Sequence, residues 1–119
     1  MKKILIADDS FFVKKSLTDI LNHAGYKNII TASDGAEAIE KYIKEKPDLI
    51  FLDIIMDKKN GIEVLEEIRE EDTETRVVML TIIGQREILS RVLALGVSEY
   101  IVKPFNEERI LSVVKKILE

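Results

Sequence analysis

Cysteine is absent from the 119 residues, which removes disulfides, thiolate metal sites and cysteine nucleophiles together. Histidine occurs once, as His23 in the last turn of a helical pattern. It suits the helix dipole there and is expected to have no catalytic role. No apolar run is longer than a few residues, so no segment is expected to span or enter a membrane. Lys2 and Lys3 precede an apolar stretch, but Asp8-Asp9 end it too early for a signal peptide, and the expectation is a cytoplasmic protein. Positive charge is not in surplus either: the net charge is -4, with Lys and Arg scattered among Asp and Glu. Sequence-independent nucleic-acid binding leans on clustered positive charge, so no nucleic-acid partner is expected.

What is present suffices for one domain over residues 1–119, with 46% hydrophobic and 34% charged residues. Short apolar runs alternate with helical patterns. The runs are Ile4–Ala7, a stretch around Ile29–Ala32, Leu49–Leu52, Val77–Leu80 and Tyr100–Val102. The first helix should start near Ser10, a good N-cap, and reach Gly25, with Val13, Leu17, Ile20, Leu21 and Ala24 on one stripe. Asp34 with Glu37 three residues on forms a capping-box pattern opening a helix through about Glu45. Asn60-Gly61 signals a turn before a helix from Ile62 to about Glu71. A fourth helix should run from near Gln85 to Gly96, and Asn106 should cap a last one to Leu118. Five strand–helix units of this kind imply an α/β fold, a five-stranded parallel sheet doubly wound with helices on both faces. Its strands are continuous apolar runs because both sides are covered.

The chemistry lies where these runs stop. The first ends at Asp8-Asp9, the third at Asp53, the fourth at Thr81 and the fifth at Lys103. In an open parallel sheet all of these share the carboxyl edge, where ligands bind. Each has an ordinary explanation: Asp9 or Ser10 as a helix cap, Asp53 in a turn, Thr81 on a backbone group, Lys103 as a solvated lysine. Together they are harder to explain so, because unit charges 4 Å apart repel by about 4 kcal/mol at an effective dielectric near 20. A bound Mg²⁺ and one lysine would neutralise the three carboxylates, and hard oxygen ligands suit that cation.

The ordered set Asp8-Asp9, Asp53, Thr81 and Lys103-Pro104, with the spacing from Asp53 to Asn60-Gly61, resembles the response-regulator receiver family over essentially the whole chain. The resemblance implies a flavodoxin-like sheet of strand order 2-1-3-4-5. It implies a phosphoacceptor that modifies and clears its own aspartate, not an enzyme acting on an outside substrate. Asp53 would take the phosphoryl group. Asp8, Asp9, Asp53 and the carbonyl of Ile55 would hold Mg²⁺, and Lys103 would contact the phosphoryl oxygens. Thr81 and Tyr100 would be the switch pair, and Pro104 would follow a cis peptide. The donor would be a sensor histidine kinase or a histidine phosphotransfer protein. The output would be binding of a monomeric, stand-alone regulator to a downstream protein, a flagellar, adaptor or relay component, through the face of the fourth helix, fifth strand and fifth helix. The runs Gly84-Gln85 and Tyr100–Phe105 look most like chemotaxis regulators. A phosphorelay intermediate or a phosphorylation-independent interaction module are the alternatives. A flavin protein or an aspartyl phosphatase is not expected, since Asp8-Asp9 repel phosphate and no Asp-x-Asp pattern is present.

Three departures from the family pattern bear on rate. Asp57 stands where proline is common, loosening the loop, and is expected to face solvent. Ile82 stands where a small residue is usual. Ile55 and Ile83 cannot orient a water by hydrogen bonding, so a long-lived phosphoryl group is expected. Beside the acidic pair, Phe11 and Phe12 lie off the helix stripe. Phe12 either packs beneath a loop, or the two form an exposed patch for a partner helix.

Overall fold

Apolar runs without alternation must be covered on both sides, and the strands are. The computed structural model describes residues 1–82 and 84–119. Ile83, and with it half of the expectation about phosphoryl lifetime, lies outside the described residues. The elements are β1 (Lys3–Ala7), α1 (Phe11–His23), β2 (Asn28–Ala32), α2 (Gly35–Glu45), β3 (Leu49–Leu52), α3 (Gly61–Arg69), β4 (Arg76–Thr81), α4 (Arg86–Ala94), β5 (Glu99–Val102) and α5 (Glu107–Leu118). All strand pairs are parallel, in the order β2-β1-β3-β4-β5.

Successive strand residues point to opposite faces, which divides the core in two. Ile4, Ile6, Leu49, Phe51, Val78, Leu80 and Ile101 pack with Leu17 and Leu21 of α1 and Ile110, Val113 and Val114 of α5. Leu5, Ala7, Ile50, Leu52, Val77 and Met79 pack with Ala38 of α2, Val64, Leu65 and Ile68 of α3, and Val92 of α4. The sheet is therefore held rigid from both sides, and its carboxyl ends form a fixed platform.

Helix starts follow local hydrogen bonding. Ser10, Asp34 and Asn106 each accept the amide three residues on, at 3.2, 2.8 and 2.7 Å. The reciprocal capping box, however, forms at Asn60 and Glu63, where each side chain accepts the other's amide at 2.9 Å. At Asp34 the expected reciprocal bond is displaced by one residue: Glu37 accepts from the Ser33 amide at 2.6 Å. The helix expected to start at Ile62 thus starts at Gly61, and it stops at Arg69 rather than Glu71. Asp72 is the reason: it accepts the amides of Glu74 and Thr75 at 2.9 and 3.0 Å, turning the chain towards β4. The first and fourth helices end before Gly25 and Gly96, whose φ values of 98° and 77° are left-handed.

Asp72 also accepts the Tyr42 hydroxyl of α2 at 2.7 Å and the Thr75 hydroxyl. The hydroxyls of Thr75 and Tyr42, then the two amides, hold its carboxyl well below the usual carboxylate range against the opposing effect of burial. A depressed carboxylate stabilises the fold above its unfolded pKa and loses that contribution as pH falls towards its folded value. Asp72→Asn should lower stability by about 2 kcal/mol at pH 7. In urea denaturation the deficit should shrink as pH drops below about 4, the unfolded aspartate value. A deficit that stays constant with pH would contradict this role for the charge.

Candidate functional site

Register sets the site. Ala7 pairs with Leu52, so Asp8 and Asp53 leave the sheet side by side. This lies between β1 and β3, where the chain reverses its direction of winding. Thr81 pairs with Val102, which brings Lys103 out next to them. The backbone carries the pattern one residue further: the amides of Asp8, Asp53 and Lys103 donate to Ala32, Ala7 and Thr81 carbonyls at 3.0, 3.0 and 2.8 Å. The functional side chains therefore stand on the last hydrogen-bonded residues of a rigid sheet.

Lys103 Nζ donates to Asp8 Oδ2 at 2.7 Å and to Asp53 Oδ2 at 3.1 Å. The three side chains are 15%, 2% and 6% exposed respectively, so this ion cluster is well screened from water. Burial pushes the Asp8 carboxyl above its ordinary value. Hydrogen bonds from Lys103 and from the Ser10 amide pull the other way without cancelling it, and the charge of Asp53 adds to the rise. Burial also opposes the charge on Lys103, but the hydrogen bonds to Asp8 and Asp53 outweigh it and hold the ammonium above the ordinary lysine range. The second oxygens are engaged as well: Asp8 Oδ1 accepts the Ser10 amide at 2.8 Å and Asp53 Oδ1 the Ile55 amide at 3.3 Å.

Asp9 is exposed and completes the acidic group: Asp8, Asp9 and Asp53 each offer an oxygen within 4.8 Å of the others. Three hard oxygen donors, two of them buried, fit a small divalent cation with open coordination positions. Ile55 lies on the same loop, two residues beyond Asp53, with its side chain exposed. Thr81 is buried, and Tyr100 is half-buried against the α4 side of the core. Because Met79 pairs with Tyr100 and Thr81 with Val102, Thr81 and Tyr100 are diagonal neighbours on one face of the sheet. The Lys103–Pro104 peptide is cis. Asp57 is exposed and Ile82 is 65% exposed.

Phe12 does not pack beneath a loop. Phe11 and Phe12 are 76% and 77% exposed at the start of α1, whose buried residues are Leu17 and Leu21. Both adjacent rings are open to solvent, and each lines a hollow of its own. Phe12 lines an open, mostly apolar cleft of about 300 Å³ with Val13, Ser16, Ile82, Lys103, Pro104 and Phe105. Phe11 lies over Lys14, Lys15, Thr18, Asp19 and Thr31. Phe105 is a rim residue that sequence reasoning does not single out; its place directly after Pro104 is the available signal.

Among the described residues, Lys103 is the cation paired with Asp8 and Asp53. Lys103→Met should therefore destabilise the metal-free protein by roughly 3 kcal/mol, the order expected for a buried charge stripped of its partner. Urea denaturation in the presence of a chelator measures it, and Mg²⁺ should return part of the loss. Unchanged stability would mean that the carboxylates are screened by water instead.

The family model for the response regulator receiver domain matches residues 4–115. The chemotaxis protein CheY of Bacillus subtilis is 37% identical, the match covering 98% of this chain and 97% of that protein. CheY of Thermotoga maritima is 35% identical over the same shares. Among solved structures, the complex of CheX and CheY with BeF3 and Mg²⁺ from Borrelia burgdorferi superposes with a TM-score of 0.93. That chain is 37% identical, with 99% of this chain and 90% of that one covered. Agreement of sheet order, edge chemistry and near full-length similarity leads to one conclusion: the chain belongs to the response regulator receiver family and is similar to chemotaxis regulators within it.

Proposed function

We propose that Asp53 is the phosphoacceptor of this regulator. The observation that carries the reading is the Lys103 ammonium bridging Asp8 and Asp53, beside the exposed Asp9, at the carboxyl edge of the sheet. The donor is a phosphohistidine of a sensor kinase or phosphotransfer protein. The Asp53 carboxylate forms a bond to phosphorus as the phosphorus–nitrogen bond breaks, and the departing imidazole takes up a proton. Little covalent work falls to the protein in such a transfer; positioning and charge stabilisation dominate.

Asp8, Asp9, Asp53 and the Ile55 carbonyl would hold Mg²⁺, which supplies positive charge to the phosphoryl oxygens when bound. The Mg²⁺ in the Borrelia relative's complex supports that choice of cation. Lys103, already within 3.1 Å of Asp53, needs only a small movement to reach a phosphoryl oxygen on it. Thr81, adjacent on the sheet edge, donates its hydroxyl to another. Tyr100 shares its face and follows Thr81 inward, altering the α4–β5–α5 surface on which a downstream protein binds. The apolar cleft of Phe12, Ile82 and Phe105 borders Lys103 and receives the donor's helix.

Intact mass after incubation with acetyl phosphate and Mg²⁺ should show a single phosphoryl adduct that Asp53→Ala lacks. No adduct from acetyl phosphate or a histidine kinase would reverse the reading in favour of a phosphorylation-independent module. Phe12→Ala should slow transfer from a phosphohistidine protein at least about threefold, the size of a modest interface contact, and leave acetyl phosphate unaffected. Equal slowing with both donors would place Phe12 in the chemistry rather than in docking.

A further inference from the structure

The loop of residues 53–60 carries Asp53 and Ile55 and contains no proline to stiffen it. Its order must come from elsewhere. At its far end Gly61 donates its amide to the Ile54 carbonyl at 2.8 Å, and a Cβ there would fall 2.1 Å from the Asp53 carbonyl oxygen. This only closes the loop on itself. Ile54 and Met56 anchor the loop in the core, and the backbone support from outside comes from the first turn of α2.

Gly35 is buried and donates its amide to the Asp57 carbonyl at 3.2 Å, which also accepts the Lys59 amide at 2.8 Å. A Cβ on Gly35 would lie 1.9 Å from the Lys59 carbonyl oxygen and 2.6 Å from the Lys59 carbonyl carbon. Both are backbone atoms, so no rotamer change relieves the clash. Only the absence of a side chain lets α2 seat against the loop. Lys58, at φ 69°, turns its side chain to within 3.8 Å of Asp34, the N-cap of the same helix. That exposed pair contributes little by itself; the backbone contact dominates.

We propose that Gly35 is a positioning residue for the cation site, holding the 53–60 loop in the conformation that binds Mg²⁺. The inference rests on the Mg²⁺ reading above. Because coupling between two sites is reciprocal, a loop ordered by the metal must in turn hold its contact with Gly35 more firmly.

Two measurements decide it. In the unaltered protein, amide exchange followed by NMR should slow at Gly35 and Lys59 when Mg²⁺ is added. In Gly35→Ala the Mg²⁺ dissociation constant should rise about fivefold or more, while the adduct level at saturating Mg²⁺ is retained. Ala36→Gly is the control: it weakens the same helix by about 1 kcal/mol at an exposed position and should leave Mg²⁺ affinity unchanged. If Ala36→Gly weakens Mg²⁺ equally, the effect is helix stability and the proposal fails. Should Gly35→Ala not fold, the exchange experiment alone decides. Mg²⁺-dependent shifts at Asp9 and Asp53 without slowing at Gly35 overturn the positioning role and leave the metal reading standing. No shift at any of them removes both.

Discussion

Repulsion between the carboxylates of Asp8 and Asp53 is the constraint on which the functional end of this molecule depends. Two strand ends that would push apart are held adjacent by the sheet, and the cost is offset by one ammonium reaching from a third strand. The arrangement is stable but unsaturated. It accommodates added positive charge, and it keeps a carboxylate close to a cation where a phosphoryl group can be received. Burial makes both effects larger than they would be in water, since the local dielectric is low.

Rigidity below the edge and adjustability above it divide the labour. The strands are clamped by two apolar cores of opposite faces. Asp8, Asp53 and Lys103 stand on their last hydrogen bonds, whereas Thr81 and Tyr100 lie within the paired strands themselves. Exposed Phe12 and Ile82 line the cleft that Lys103 borders, and exposed Ile55 lies two residues beyond Asp53, so apolar surface adjoins the charged crevice.

Strand ends were legible in the sequence because each apolar run stops on a chemically distinct residue, and parallel order places all such stops on one edge. Helix starts at Ser10 and Asn106 were legible for the same local reason. The capping box was read at Asp34 and is found at Asn60, since both segments carry the pattern and only the loop geometry selects between them. The end of α3 was overrun because Glu70 and Glu71 are good helix formers, whereas Asp72 binds amides beyond the helix. Exposure of Phe12 could not be read, as an aromatic in the first turn of a helix turns to a loop or to solvent according to what packs beside it. The role of Gly35 was hidden for a different reason: a glycine at a helix start looks ordinary until the backbone opposite it is known.

The partners of the central ion cluster are far apart along the chain: Asp8 and Lys103 are separated by 95 residues, Asp53 and Lys103 by 50. Contacts of such separation close late, after the intervening loops have lost their freedom. A partly folded chain in which β1 and β3 have paired before β5 docks carries both carboxylates together with no lysine between them. In such a chain the two carboxylates repel each other, and within the protein the relief comes when β5 brings Lys103 beside them. The same crevice therefore reports on complete folding: until β5 docks, the two carboxylates lack the ammonium that bridges them in the folded chain.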